Sequence, residues 1–282
     1  MLQKEILLSE EASDDTWRSV WRDFCGKDSM GSQIVGKQSI AFQNAVYIAG
    51  SASVVGPKEA AGPLGEWFDV KDGDPLFGKE TWEQAESEMQ SIALQKAAEK
   101  AKLELSEVRF LFGGDLLAQL TATSFGNVEA KLPLFGLYGA CSTCAESLTL
   151  AAMSVAGGFA EHAAAVTSSH FASAEKEFRF PLGYGSQRPL AATWTVTGSG
   201  AFILGTKNGY VRISGVTPGK IVDRGVRDNM NMGACMAPAA CDTICQNLLD
   251  FEREPQEYDR IITGDLGTVG KEILLQLVKD RG

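Results

Sequence analysis

Two segments of this chain, residues 106–116 and 256–266, carry the same pattern in different letters. They read SEVRFLFGGDL and QEYDRIITGDL, and each follows a stretch typical of a long helix. Both have an acidic turn, then a short apolar strand, then Gly-Asp-Leu. A pattern that recurs in this way predicts a duplicated α/β unit, in which helices cover the faces of a largely parallel sheet.

The rest of the chain alternates between strand and helix patterns in the same way. The predicted helices cover 81–103, 147–156, 236–249 and 271–278, and the predicted strands cover 38–54, 108–112, 132–137, 163–167 and 258–263. Two further strands, 193–204 and 210–216, are predicted to form a hairpin with each other. This order of elements favours the α/β class.

The composition is that of a globular protein and argues against two kinds of function. The 282 residues are 44% hydrophobic and 22% charged, and the net charge of −10 argues against nucleic acid as a partner. No apolar run approaches the ~20 residues that a membrane span needs. The N-terminus lacks the basic start and apolar core of a signal peptide. Six cysteines without an extracellular signal are typical of reduced thiols.

The segment 134–148, LFGLYGACSTCAESL, is the strongest candidate for a functional site. An apolar run ends at the turn 139–141, and a helical pattern begins at once. The thiol of Cys141 is therefore expected beside free backbone N–H groups and the positive end of a helix dipole. Such a position suits either a thiolate nucleophile or a bound anion.

Polar residues also follow two other predicted strands and the loop after them. Because the carboxyl ends of parallel strands meet at one edge of a sheet, these residues are expected to converge with the cysteine turn. The predicted ligand-binding residues are Asp115, Cys141, Ser142, Thr143, Ser168, Ser169, His170, Arg179, Tyr184 and Arg188.

Several of these residues have an ordinary structural alternative. Asp115 and Asp265 occur at the same place in both copies of the repeat, where each is able to cap the helix that follows. His170 is alternatively a structural histidine with satisfied ring nitrogens. Cys141 is alternatively a small buried side chain or half of a redox-active CxxC with Cys144. A zinc site that includes the later cysteines, 241 and 245, is a further alternative.

Eight motifs together carry a resemblance to a known family. They are AGPLG (61–65), GGDLLAQ (113–119), GACST (139–143), TSSH (167–170), FRFPLGYGSQRP (178–189), TVTGSGA (195–201), MAPAACDTI (236–244) and TGDLGTVG (263–270). From about Gly36 onward the chain resembles the thiolase-like superfamily and, within it, the stage V sporulation protein AD family of endospore-forming bacteria. The resemblance implies two βαβαβαββ halves, the first at 30–205 and a truncated second at 206–282.

Residues 1–29 are interpreted as an N-terminal extension. Met30 is a candidate start codon, which would place the extension upstream of the native chain. In the alternative interpretation, Trp17, Val20, Trp21 and Phe24 form the apolar face of a docking helix.

The resemblance also implies a function. Members of the family are implied to bind dipicolinic acid, or its calcium chelate, for uptake into the forming spore and release at germination, without acting as enzymes. It implies a homodimer, other stage V sporulation A membrane proteins as partners, and a peripheral position on the inner spore membrane. No cofactor is expected beyond the calcium of the chelate.

The same superfamily offers an alternative, which is cysteine-dependent acyl transfer of the β-ketoacyl synthase III type. That reaction needs a histidine, or a histidine with an asparagine, from the second half. The two histidines of this chain, His162 and His170, are both in the first half. Where the synthase has its histidine, the sequence reads Thr-Gly-Asp at 263–265. A carboxylate there is expected to raise the pKa of the thiol and to repel an oxyanion.

Overall fold

The computed structural model, which describes residues 33–178, 189–207, 209–228 and 230–281, has eight strands in one mixed sheet. The strands are β1 (Ile34–Val35), β2 (Ser39–Val55), β3 (Val70–Lys71), β4 (Phe110–Gly114), β5 (Leu134–Gly136), β6 (His162–Ser169), β7 (Gly198–Gly205) and β8 (Val211–Val216). Their order is β1-β2-β7-β6-β4-β5, and β3 and β8 also pair with β2. The strands β5, β4 and β6 are mutually parallel, so their carboxyl ends lie at one edge as predicted.

Seven α-helices are present in the described residues. They are α1 (Pro57–Ala60), α2 (Trp82–Ala101), α3 (Thr121–Gly126), α4 (Thr143–Ala156), α5 (Phe171–Phe178), α6 (Met232–Asp250) and α7 (Gly267–Lys279). The predicted helix 81–103 is confirmed as α2. It begins where Thr81 and Gln84 exchange backbone-to-side-chain hydrogen bonds, and it ends at Lys102 in the left-handed conformation.

Two helices cover the opposite faces of the sheet. Along β6, Ala164 and Val166 pack in the cluster that contains the buried face of α2. Ala163 and Ala165 pack in the cluster that contains α4. Because side chains alternate along a strand, this register decides which residues at the end of β6 reach the cysteine turn.

The predicted hairpin between the strands at 193–204 and 210–216 is wrong. Both β7 and β8 pair with β2, and Tyr47 of β2 lies opposite Gly205 on one edge and Arg212 on the other. The 17 residues of β2 are long enough to serve both partners. Since β2 lies between them, β7 and β8 form no ladder with each other.

The internal repeat appears as a repeated local structure. Each copy has a 3-10 helix, Leu105–Glu107 in the first and Pro255–Glu257 in the second, with a reciprocal capping box. The backbone N–H of Glu104 donates to Glu107 at 2.8 Å, and that of Glu254 donates to Glu257 at 2.8 Å. The same acidic turn therefore precedes both Gly-Asp-Leu motifs.

The predicted strand at 258–263 is wrong, since that segment has no strand pairing in the described part of the chain. Its counterpart β4 is a strand because β5 and β6 bond to both of its edges. A strand depends on such partners, whereas the capping box before it depends only on neighbours in sequence.

A carboxylate at the end of α6 helps to attach the C-terminal helices to the sheet. Asp250, at the end of α6, accepts hydrogen bonds from the backbone N–H groups of Lys37 at 2.8 Å and Gln38 at 3.0 Å, and from the Ser39 hydroxyl at 2.7 Å. The turn begins at Gly36, with φ +55°, where a Cβ would lie 2.2 Å from the Asp250 carboxylate. Only glycine fits this contact.

Candidate functional site

Cys141 lies in a 3-10 turn at 140–142, between β5 and the first residue of α4. The preceding residue, Ala140, has φ +49°, a conformation that is costly for a residue with a Cβ. The Ser142 hydroxyl donates to the carbonyl of Gly139 at 2.7 Å, and the Thr143 hydroxyl accepts from the N–H of Gly139 at 3.0 Å. These two bonds hold the turn in the shape that presents the thiol.

The thiol faces the segment 263–265 from the second half of the chain. A Cβ placed on Gly264 would lie 3.8 Å from the Cβ of Cys141 and 3.2 Å from the methyl group of Met236. Cys141 keeps an exposed surface, but protein atoms around its sulfur displace water, and this raises the pKa of the thiol. The carboxylate of Asp265 raises the pKa further, which confirms the expectation from the sequence.

Cys144 and Thr167 extend this side of the site. Burial raises the pKa of the Cys144 thiol, although a hydrogen bond with Thr167 acts in the opposite direction. Thr167 was not among the predicted residues. Strand alternation indicates it, because Thr167 shares the face of Ala165, which packs against α4. The cysteines of the described residues are free thiols, and these residues contain no cluster suited to a metal ion.

The same alternation turns Ser168 toward the opposite face of the sheet. Its hydroxyl donates to Glu86 at 2.8 Å and accepts from the side-chain amide of Gln90 at 2.8 Å, and both partners belong to α2. Ser169 donates to the carbonyl of Val196 at 2.6 Å. Ser168 is therefore not brought together with Cys141.

His170 is buried and has partners for both ring nitrogens. Its Nδ1 accepts from the backbone N–H of Ala172 at 3.1 Å, so Nε2 carries the proton and donates to the carbonyl of Pro75 at 2.8 Å. Burial lowers the pKa of this histidine, although the bond to Pro75 opposes the shift. The ring joins the start of α5 to the loop before α2.

Asp115 is buried at the end of β4, where its carboxylate holds the following loop. It accepts from the N–H of Leu117 at 2.8 Å, from the N–H of Thr123 at 2.7 Å and from the Thr123 hydroxyl at 2.6 Å. Thr123 is in the first turn of α3, so the capping interpretation is confirmed. In the second copy Asp265 accepts from the N–H of Gly267 at 3.1 Å, at the start of α7.

An aromatic pair, which we call the rim, is connected through Thr193 to the loop that contains Asp265. Phe171, the first residue of α5, stacks on Trp194 with centroids 4.5 Å apart and planes 4° apart. The Lys58 ammonium lies 2.9 Å from the centroid of the Trp194 ring. The Thr193 methyl approaches within 3.1 Å of where a Cβ on Gly267 would lie, which connects the pair to the loop of Asp265.

These rim residues were not predicted, because they come from three segments that are distant in sequence and share no motif. The predicted residues Arg179, Tyr184 and Arg188 lie outside the described residues.

Known proteins with similar structures have the thiolase-like fold. The chain matches 3-oxoacyl-(acyl carrier protein) synthase III (FabH) from Xanthomonas oryzae with a TM-score of 0.58 and 17% identity, over 85% of this chain and 83% of that one. It matches a variant of OleA from Xanthomonas campestris with a TM-score of 0.59 and 17% identity, over 85% and 81%. At this identity the likeness shows the fold alone, and it confirms the predicted thiolase-like α/β class.

Sequence comparison identifies the family. The sequence model of stage V sporulation protein AD (SpoVAD) matches residues 36–282. Stage V sporulation protein AD of Bacillus subtilis (strain 168) is 40% identical over 250 residues, which cover 89% of this chain and 74% of that protein. The match to the family model includes the cysteine turn, the segment 263–265 and the elements that carry them. This chain, a sporulation protein with a thiolase-like fold, therefore belongs to the stage V sporulation protein AD family.

Proposed function

We propose that the chain binds dipicolinic acid, in the form of its calcium chelate, without turning it over, for uptake into the forming spore and release at germination. The observation that carries this proposal is the Asp265 carboxylate beside the Cys141 thiol, where it raises the pKa of that thiol. A nucleophile needs the thiolate, so this arrangement favours binding over acyl transfer.

The Asp265 carboxylate also affects whether the ligand binds as free dipicolinate or as its calcium chelate. Dipicolinate carries two carboxylates on a flat ring, and Asp265 repels a free dianion at this position. A calcium ion held by the ligand removes that repulsion, since calcium binds several carboxylate oxygens at once. The backbone N–H groups of Ala140 and Cys141, at the start of the cysteine turn, supply contacts that an anionic ligand needs.

Calorimetric titration with dipicolinate, with and without calcium, tests this proposal. We expect saturable binding at one site, at least tenfold tighter with calcium, and weaker binding by Cys141→Ala. In Asp265→Asn the advantage of calcium is expected to disappear. Asp259→Asn is the control, since Asp259 is an exposed carboxylate in the same segment. Failure of the folded chain to bind either form contradicts the proposal, as does an unchanged calcium effect in Asp265→Asn.

Acyl transfer is the second candidate function, because Cys141 starts a helix after a strained residue in a fold that synthases share. Incubation with acyl-CoA thioesters, followed by mass spectrometry of the peptide with Cys141, distinguishes the two. We expect no acyl adduct. A stoichiometric adduct on Cys141, retained in Cys144→Ala, favours the enzyme instead.

We also propose that the chain acts peripherally on the inner spore membrane, with other stage V sporulation A membrane proteins as partners. In the described residues no helix has the length and apolarity to cross a bilayer. Fractionation of spore membranes tests this placement. Peripheral attachment predicts release from the membrane by high salt or alkaline washing, and retention through both washes contradicts it.

A homodimer is part of the same proposal. The edge strand β5 is exposed along its length, and the chain from α3 to the cysteine turn carries five large apolar side chains that are exposed. They are Phe125, Val128, Leu134, Phe135 and Tyr138. Sedimentation velocity is expected to show a dimer, and Phe125→Glu is expected to weaken it because Phe125 is 73% exposed. A monomer at high protein concentration contradicts the dimer.

A further inference from the structure

Behind the site, Glu86 of α2 is an acidic side chain with no exposure to solvent. One carboxylate oxygen accepts from the Ser168 hydroxyl and the other from the Ser173 hydroxyl, both at 2.8 Å. Burial of a carboxylate is costly even when it is hydrogen-bonded. Its protonation state therefore affects the packing of the elements that cover it, which are the end of β6 and the first turns of α5.

The hydrogen bonds around Ser173 are compatible with both protonation states of Glu86. The Ser173 hydroxyl lies 2.8 Å from Glu86 Oε2 and 3.1 Å from the carbonyl oxygen of His170. When Glu86 is ionised, Ser173 donates to it. When Glu86 is protonated, the carboxyl donates to Ser173, whose own proton then turns to His170. Ser168 is less suited to receive the proton, because it already accepts from Gln90 at 2.8 Å.

Acidic groups surround Glu86 on two sides. Burial is the main cause that raises its pKa, to about 7. The hydroxyls of Ser168 and Ser173 oppose this rise, while the carboxylates of Asp115 at the end of β4 and Glu83 on α2 add to it.

The charged groups of α5 have partners of their own. Lys176 is ion-paired with Glu83. Glu175 accepts from the Thr195 hydroxyl at 3.1 Å, and Glu177 accepts from the N–H of Ala118 at 3.1 Å. His170, where α5 begins, bonds through both ring nitrogens in its neutral form.

The helix that covers Glu86 also carries part of the rim. Phe171 is the first residue of α5 and stacks on Trp194. The methyl group of the neighbouring Thr193 lies 3.1 Å from where a Cβ on Gly267 would be, and the N–H of Gly267 donates to Asp265. A displacement of α5 therefore moves the aromatic pair relative to the loop that faces Cys141.

We propose that Glu86 is a proton-dependent positioning residue, which holds α5 against α2 through Ser173, and that loss of its proton loosens α5 and the Phe171–Trp194 stack at the rim. The direction of this pH effect follows from thermodynamic linkage. When α5 opens and water reaches Glu86, the pKa of the carboxyl falls toward its ordinary value, so the open state binds the proton less tightly than the closed state. Raising the pH therefore favours the open state. The inference rests on the proposed function only for the identity of the ligand.

Hydrogen exchange of the α5 amides tests the inference without any ligand. When α5 opens, the pKa of Glu86 falls from about 7 to its ordinary value of 4.5. Raising the pH from 6 to 8 is therefore expected to increase the open population about tenfold. We expect the protection of amides 172–176, corrected for intrinsic exchange rates, to fall by about that factor, while amides in the centre of α4 stay constant. Equal protection of α5 at both pH values in the native chain overturns the inference.

Variants separate Glu86 from other titrating groups. Glu86→Gln retains the shape and resembles the protonated form, because its amide is able to donate to Ser173. It is expected to keep α5 protected at both pH values. Glu88→Gln, on the same helix but in a surface ion pair with Lys79, is the matched control and is expected to behave as the native chain does. A tenfold change that persists in Glu86→Gln overturns the inference.

A second substitution keeps the test informative if Glu86→Gln fails to fold. Ser173→Ala removes the link from the α5 side, so α5 is expected to be less protected already at pH 6. Unchanged protection of α5 in a folded Ser173→Ala chain overturns the inference.

Ligand binding gives an additional readout at the site itself. The affinity for calcium dipicolinate is expected to fall severalfold from pH 6 to pH 8 in the native chain and to change little in Glu86→Gln. An equal fall in both chains contradicts the coupling to the site. Absence of binding at every pH counts against the proposed function, and the exchange experiment then decides the present inference.

Discussion

At the residue scale, Cys141 combines an accessible thiol with surroundings that keep the thiol protonated. The turn that presents it would suit a nucleophile, since it ends a strand and starts a helix. Desolvation and the Asp265 carboxylate act against the thiolate. The same strand-turn-helix scaffold therefore provides backbone N–H groups for a ligand while its cysteine is held in a weakly reactive state.

Asp265→Asn is expected to make Cys141 more reactive. Removal of the carboxylate lowers the pKa of the thiol and raises the thiolate fraction near neutral pH severalfold. The measurement is the rate of iodoacetamide alkylation of Cys141 across pH 6–10, by mass spectrometry. Asp259→Asn, which alters an exposed carboxylate of the same segment, is the control. An alkylation profile that Asp265→Asn leaves unchanged contradicts the role of this carboxylate.

At the element scale, the last two helices cross where neither has a side chain. A Cβ on Gly233 of α6 would lie 2.2 Å from the carbonyl oxygen of Leu266, and a Cβ on Gly270 of α7 would lie 2.6 Å from the Cα of Gly233. This approach lets the two helices form an apolar cluster of their own around Ala237, Cys241, Leu266 and Leu274. The crossing also fixes the start of α7, which follows the loop of Asp265.

Gly270→Ala is expected to destabilise the chain by about 1–3 kcal/mol, because the added methyl group overlaps backbone atoms of α6 that are unable to move independently. Chemical denaturation measures the free energy of unfolding. Gly73→Ala is the matched control, since a Cβ there would meet no atom within 4 Å. If both substitutions change the free energy of unfolding equally, the close approach of α6 and α7 is not what makes Gly270 necessary.

The two copies of the repeat show which parts of an element depend on its neighbours. The capping boxes at Glu104–Glu107 and Glu254–Glu257 form in both copies, because every partner lies within three residues. The strand that follows forms only in the first copy, where β5 and β6 supply hydrogen bonds. The predicted hairpin failed for a related reason, since the preferred partner of both strands was the long β2.

At the scale of the whole molecule, two carboxylates connect parts of the chain that are distant in sequence. Asp250 joins α6 to the turn before β2, more than 200 residues away, through the bonds to Lys37 and Gln38. Glu86 joins α2 to the end of β6 and to α5 through Ser168 and Ser173. The surroundings shift their pKa values in opposite directions, so they affect stability in different pH ranges.

Asp250 is expected to stabilise the chain above about pH 4. Burial alone would raise its pKa, but the hydrogen bonds from Lys37, Ser39, Gln38 and Gln246 outweigh that effect and hold the pKa well below its usual 3.8. A depressed pKa gives stability that is present above the unfolded value and lost as the pH falls below it.

Thermal unfolding between pH 2 and pH 7 tests this role of Asp250. We expect Asp250→Asn to lower the Tm by several degrees at pH 7 and to have a smaller effect at pH 2. Equal Tm losses at both pH values would show that the charge is unimportant. Asp280→Asn, an exposed position at the end of α7, is the control.

Glu86 is expected to destabilise the chain as the pH rises. Its pKa of about 7 lies above the ordinary value of 4.5, so the stability it gives is full below about pH 4.5 and is lost as the pH rises through 7. This change amounts to about 3 kcal/mol at most. Denaturation of Glu86→Gln and the native chain between pH 5 and pH 8 measures it. The variant should gain stability relative to the native chain as the pH rises, and a constant difference contradicts the assignment.

The sequence by itself determined the α/β class, the family, the cysteine turn and the conflict between Cys141 and a carboxylate at 265. Local hydrogen bonds and side-chain periodicity are enough to specify the class and the cysteine turn. The family and the conflict at 265 were inferred from motifs shared with known proteins. For Asp115 the sequence left ligand binding and capping open, and hydrogen bonds to partners at most eight residues away favour capping.

Only the tertiary structure decided which of these residues share one site. The register of β6 places Thr167 with Cys144 and turns Ser168 to the other face of the sheet, where it bonds to Glu86. The rim pair, Phe171 and Trp194, depends on how α5 packs. The physical reason is that register, helix crossing and strand partners are set by long-range burial and pairing, whose energies are shared among segments that no local pattern connects.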